Sequence, residues 1–120
     1  MIAWDFSRVA ARALADALPL LRRASAVTLV SFGDDKDFSS SLSRDDVMAS
    51  LRRRGVEAEF RQLERGGREI GDAINDAAAD CDADLLVMGG FGHSRVRDFV
   101  LGGATRTMLS APRLPTLISH

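Results

Sequence analysis

The sequence has little of what staples, anchors or charges a protein in one direction. Cys81 is the only cysteine among 120 residues. An internal disulfide is therefore excluded, and with it a secreted scaffold held by cross-links; a reducing compartment fits. Lysine plus arginine (16) nearly balance aspartate plus glutamate (17), leaving a net charge of −1. That balance gives no electrostatic reason to expect nucleic acid or an anionic membrane as the main partner. No apolar run of signal-peptide or membrane-spanning length opens the chain, because Asp5 and Asp16 interrupt "MIAWDFSRVAARALADALPLL". The expected location is the cytoplasm. No repeat, low-complexity tract or linker divides the chain, whose length suits one domain, residues 1–120, with one site.

What is present reads as alternating strands and helices. "MIAWD" is a short apolar strand. Behind it Ala10, Leu14, Ala17, Leu18 and Leu21 recur at helical spacing, with Ser7 as N-cap. "AVTLVSF", rich in β-branched residues and stopped by Gly33, predicts a second strand, followed by the polar loop "GDDKDFSSSL". Ser43 and Asp46 have capping-box spacing, and a short helix runs from them to Arg52–Arg54 and a stop at Gly55. "VEAEFRQL" alternates apolar and charged residues and predicts an edge strand. From Gly67, the residues Ile70, Ala73, Ile74, Ala77 and Ala78 predict a third helix to about Asp80. "ADLLVM" reads as a strand covered on both faces, "ATRTMLSA" as a last helix and "LPTLISH" as a last strand. This order predicts an α/β fold: a parallel, Rossmann-like sheet with helices on both faces.

Five of the ten glycines fall in "GGFGHSRVRDFVLGG", residues 89–103, directly behind the strand "DLLVM". In open parallel sheets ligands bind beyond the carboxyl ends of the strands, near the point where strand order reverses. Asp5 and Gly89 both stand at such ends. Gly102 and Gly103 open the last helix, where bare N–H groups and the helix dipole favour a phosphate. Two familiar phosphate signatures are absent. "GFGHSR" carries Arg95 where a dinucleotide fingerprint needs its third glycine, and no lysine follows any of these glycines as a Walker loop requires.

The spacing Gly89, two residues, Gly92, nine residues, Gly102 resembles the nucleotide-binding signature of the universal stress protein family, G-x2-G-x9-G-[S/T]. The likeness spans the chain: "AWDFS" is similar to the family's first strand ending in aspartate, "ADLLVMGG" to its fourth and "LPTLIS" to its last. The resemblance implies a five-stranded parallel sheet of order 3-2-1-4-5. It also implies an adenine nucleotide over strands 1 and 4, with ATP expected, magnesium as its companion and AMP as an alternative ligand. Asp5 would then accept hydrogen bonds at the adenine end beside Ala3 and Trp4, while Phe32 and Met88 wall the base. Gly89 and Gly92 would line the ribose and phosphate path with His93 in the same loop, and Gly102, Gly103 and Ala104 would offer backbone N–H groups to the phosphates.

Gly103 departs from the pattern, standing where the family has serine or threonine. One hydroxyl donor is missing, and Ser94, Arg95, Arg97 and Thr105 are the residues placed to compensate; Arg95 or Arg97 is the expected phosphate contact. The opening strand is also short, and the chain has the length of one half of a tandem member of the family. Asp80, Asp82 and Asp84 in "DCDAD" lack further ligands and predict a solvated connection rather than a metal site. His93 has no nucleophile or carboxylate at triad spacing. The sequence therefore predicts a cytoplasmic nucleotide sensor or regulator rather than an enzyme, with slow ATP hydrolysis at most. A homodimer is expected through the exposed edge of the last strand. A nucleotide-independent dimerisation or interaction domain of the same family is the competing reading.

Overall fold

The computed structural model describes residues 1–33, 43–91 and 103–120. Among these residues nine elements alternate: β1 (Ile2–Ala3), α1 (Arg8–Leu21), β2 (Thr28–Phe32), α2 (Arg44–Arg53), β3 (Glu59–Leu63), α3 (Ile70–Asp80), β4 (Leu86–Gly89), α4 (Gly103–Ser110) and β5 (Thr116–Ser119). The five strands form one sheet of order β3-β2-β1-β4-β5 with every pair parallel, the order the resemblance implied.

β1 is only two residues long, yet it pairs with both neighbours: Ile2 sits opposite Leu29 and Val87, and Ala3 opposite Val30 and Met88. Backbone bonds extend the pairing on either side, from Trp4 N to Val30 O (2.8 Å) and from Val87 N to Met1 O (3.0 Å). The short central strand is thus held from both sides.

Side chains alternate across the sheet and build two cores. Ile2, Trp4, Leu29 and Val87 face α1 and α2, where Ala10, Ala13, Leu14, Val47 and Leu51 cover them. Val30, Phe32, Leu86 and Met88 face α3 and α4, against Ala73, Ile74, Ala77 and Met108. Both faces of β4 are buried, as its unbroken apolar run demanded. β3 keeps Glu59 and Gln62 exposed, as suits an edge.

Caps fix the helix starts. Ser7 accepts from Ala10 N (3.1 Å). Ser43 accepts from Asp46 N while Asp46 accepts from Ser43 N, a complete capping box that holds the Asp46 carboxyl below its ordinary range. α3 starts at Ile70 rather than at Gly67, because Gly66 and Gly67 take φ of 59° and 77°, a left-handed turn that no helix includes. β3 starts at Glu59 rather than at Val56, since Val56 N still bonds Leu51 O behind the end of α2.

Candidate functional site

The chain leaves β1 for β2 and β3 on one side and returns through β4 and β5 on the other, so strand order reverses between β1 and β4. A cleft of about 160 Å³ opens at that point, beyond the carboxyl ends of the strands. Ala3, Val30, Phe32 and Met88 supply its apolar sheet wall, and Ile70 and Ile74 of α3 face them. This wall is the upper end of the core between the sheet and α3/α4. Polar groups stand around the rim: Asp5, Arg65 and the first turn of α4, Gly103 to Thr105.

Local chemistry places each of these groups. Asp5 follows β1, and its Oδ1 accepts from Ser7 N (3.0 Å), which ties the carboxylate to the turn that starts α1. Phe6 makes that turn at φ 60°, a left-handed conformation that costs a bulky residue roughly 1–2 kcal/mol. Aromatic packing on Trp4 (ring centroids 5.9 Å apart) and Phe60 (6.3 Å) offsets the cost. Helix α4 aims its N-terminus at the cleft; the N–H groups of its first turn have no intrahelical acceptor, and the dipole makes that end positive. Thr105, buried, accepts from Phe91 N (3.4 Å) and so links α4 to the end of β4.

Of the residues singled out from sequence, Ala3, Trp4, Asp5, Phe32, Met88, Gly89, Gly103 and Ala104 all border this one cleft. Trp4 borders it from below, its side chain belonging to the core on the α1 side. Gly92, His93 and Gly102, with Ser94, Arg95 and Arg97, lie outside the described residues. Gly89 has a packing role: a Cβ there would meet Ala10 N at 2.6 Å and the Val9 carbonyl carbon at 2.7 Å, so α1 can lie this close to β4 only over a glycine. Gly103 differs, because a Cβ would find Ile70 Cγ2 at 3.5 Å and Glu69 Oε2 at 3.9 Å, ordinary contacts.

Sequence reasoning missed Arg65, Phe91, Ile70 and Ile74 as cleft residues. Arg65 and Arg68 look alike in "ERGGRE". The Gly66–Gly67 turn separates them: Arg68 points away and donates to Asp76 (2.9 Å), while Arg65 lines the cleft. The glycine pair was the available signal. Phe91, 48% exposed at the rim, also has φ 60° and packs edge-on against His120 at 5.8 Å.

A doubly wound, all-parallel α/β sheet with a cleft at its switch point and a helix N-terminus on the rim defines the fold class. Within that class the chain belongs to the Universal stress protein family, whose sequence model matches residues 1–120. Solved structures agree. A universal stress protein from Archaeoglobus fulgidus is 26% identical with a TM-score of 0.72, the match covering 99% of this chain and 96% of that one. One from Burkholderia pseudomallei is 26% identical with a TM-score of 0.69, covering 98% and 92%. A universal stress protein solved in complex with cAMP shares the fold at 21% identity and a TM-score of 0.65, covering 99% and 94%. A search of curated proteins finds no match.

Proposed function

We propose that this chain binds an adenine nucleotide, ATP foremost, in the switch-point cleft and acts as a stress-response sensor or regulator. The observation that carries the reading is the cleft's polarity. Its apolar wall of Ala3, Val30, Phe32 and Met88 suits a base, and it ends at the N-terminus of α4, which suits phosphates. Asp5 supplies an acceptor at the wall's end and Arg65 a cation on the rim. The relative solved with cAMP supports a nucleotide as the ligand class. Mg²⁺ would accompany the triphosphate. Isothermal titration with ATP, AMP and cAMP, with and without magnesium, tests the reading. Saturable ATP binding that weakens about tenfold in Arg65→Ala and in Asp5→Ala is expected, whereas no heat from any of the three nucleotides refutes it.

A second reading, an interaction domain independent of nucleotide, is favoured by Gly89 and Gly90. Packing alone accounts for both, since a Cβ on Gly90 would meet Ile118 Cγ2 at 2.5 Å. Under either reading β5, which among the described residues pairs only with β4 and is half-buried throughout, offers its outer edge to a second copy. Molar mass in solution should then be twice that of the chain. Among the described residues no helix is long and apolar enough to cross a membrane.

A further inference from the structure

The ends of α1 and α2 meet at the opposite end of the sheet from the cleft, where the strands begin. Arg22 caps α1 and Arg54 caps α2, and Arg22 Nε donates to Arg54 O at 2.9 Å, fixing the two ends side by side. Arg22, Arg23, Arg52, Arg53 and Arg54 are all exposed there, with Leu20 49% exposed in the last turn of α1. Among the described residues none of the five makes an ion pair within 4.0 Å. Asp46, which feels Arg53 through space, is already engaged by Ser43. One or two basic groups suffice to complement a helix C-terminus; five arginines beside an exposed leucine exceed that need.

We propose that this paired helix end is a docking site for a short acidic segment of a partner protein. All five cations are arginine, whose planar fork takes carboxylates in pairs. Leu20, exposed in the last turn of α1, adds an apolar contact. The rest of the molecule sets the ligand's length. Removing these five charges from the net −1 leaves −6 on everything else, so a long polyanion or an anionic membrane would meet repulsion around the patch. Part of that charge is close: Asp80, Asp82 and Asp84 are exposed at the start of β4, two strand spacings or about 10 Å from the start of β2. The Arg22–Arg54 contact joins the two helix ends into one short surface, which suits three or four extended residues at about 3.3 Å each.

The test is fluorescence anisotropy with fluorescein-labelled tetraglutamate at low and at moderate salt. A twelve-residue oligothymidylate and vesicles containing phosphatidylserine are the comparison probes. Saturable peptide binding is expected, weakened by salt and weakened at least tenfold in Arg23→Glu/Arg53→Glu, a variant that keeps the Arg22–Arg54 contact. That variant should keep the wild-type melting temperature and the wild-type response to ATP, which separates this site from the cleft. No peptide binding, equal binding by the variant, or tighter binding of the oligonucleotide or the vesicles would overturn the proposal.

Discussion

Two glycine pairs follow strands in this chain, Gly66–Gly67 beyond β3 and Gly89–Gly90 at the end of β4. At the first pair nothing among the described residues lies within 4 Å of an added Cβ, and the reason for glycine is backbone: φ is 59° and 77°. At the second pair the backbone angles are ordinary and the reason is space, with α1 against Gly89 and Ile118 against Gly90. One pair aims Arg65 into the cleft, and the other lets a helix and a strand close around it. Glycine in a ligand-signature segment is therefore no evidence of ligand contact until crowding and dihedral angle have been accounted for. Here they account for Gly89 and Gly90 completely.

Gly89→Ala should destabilise the fold most. The new methyl would meet two backbone atoms of α1 below 3.0 Å, which cannot rotate away as a side chain can. Overpacking of this kind costs about 3 kcal/mol, roughly 12 °C in melting temperature for a domain of this length. A smaller loss follows from Gly67→Ala, about 1 kcal/mol, because only the left-handed conformation resists it. Gly67→Asn should cost less than Gly67→Ala, since asparagine tolerates that region. Equal losses for Asn and Ala at position 67, or a Gly89→Ala variant as stable as wild type, would show that the two pairs do not differ as described. Thermal denaturation of the four proteins decides it.

The same distinction explains what was legible in the sequence. Periodicity sufficed for the elements and for a parallel sheet, because burial on both faces leaves an unbroken run such as "LLVM", while an edge such as β3 alternates; the strand order followed from the family resemblance. The caps at Ser7 and Ser43 were equally open to reading, being local hydrogen bonds within three residues. Asp5 and Gly89 could be placed at the cleft because a parallel sheet sends every strand end to the same side, whereas Ala3, Phe32 and Met88 were implied by the family resemblance. Arg65, Ile70 and Ile74 were missed: the Gly66–Gly67 pair signals a left-handed turn, but which flanking side chains that turn brings to the cleft depends on how α3 packs on the sheet. The role of Gly89 was hidden for a related reason, since its crowding comes from Val9 and Ala10, eighty residues earlier in the chain.

Gly103 belongs to neither class. Its φ is not in the left-handed region, and among the described residues a Cβ would make only ordinary contacts, so neither reason that holds at Gly67 or Gly89 applies at the start of α4. Gly103→Ser should leave stability within about 0.5 kcal/mol of wild type, the smallest structural effect of the series. If the phosphates of ATP lie at this turn, the added hydroxyl gives a charged hydrogen bond worth roughly 1.5–3 kcal/mol, so affinity should tighten by about one to two decades. Glu69 Oε2, 3.9 Å from the new Cβ, competes for the same proton, and Gly103→Ser/Glu69→Gln should therefore bind ATP at least as tightly as Gly103→Ser. Unchanged affinity in both variants would move the phosphates away from α4 while leaving the base wall intact. A melting temperature lowered as far as in Gly67→Ala would mean that position 103 is glycine for the fold's sake after all.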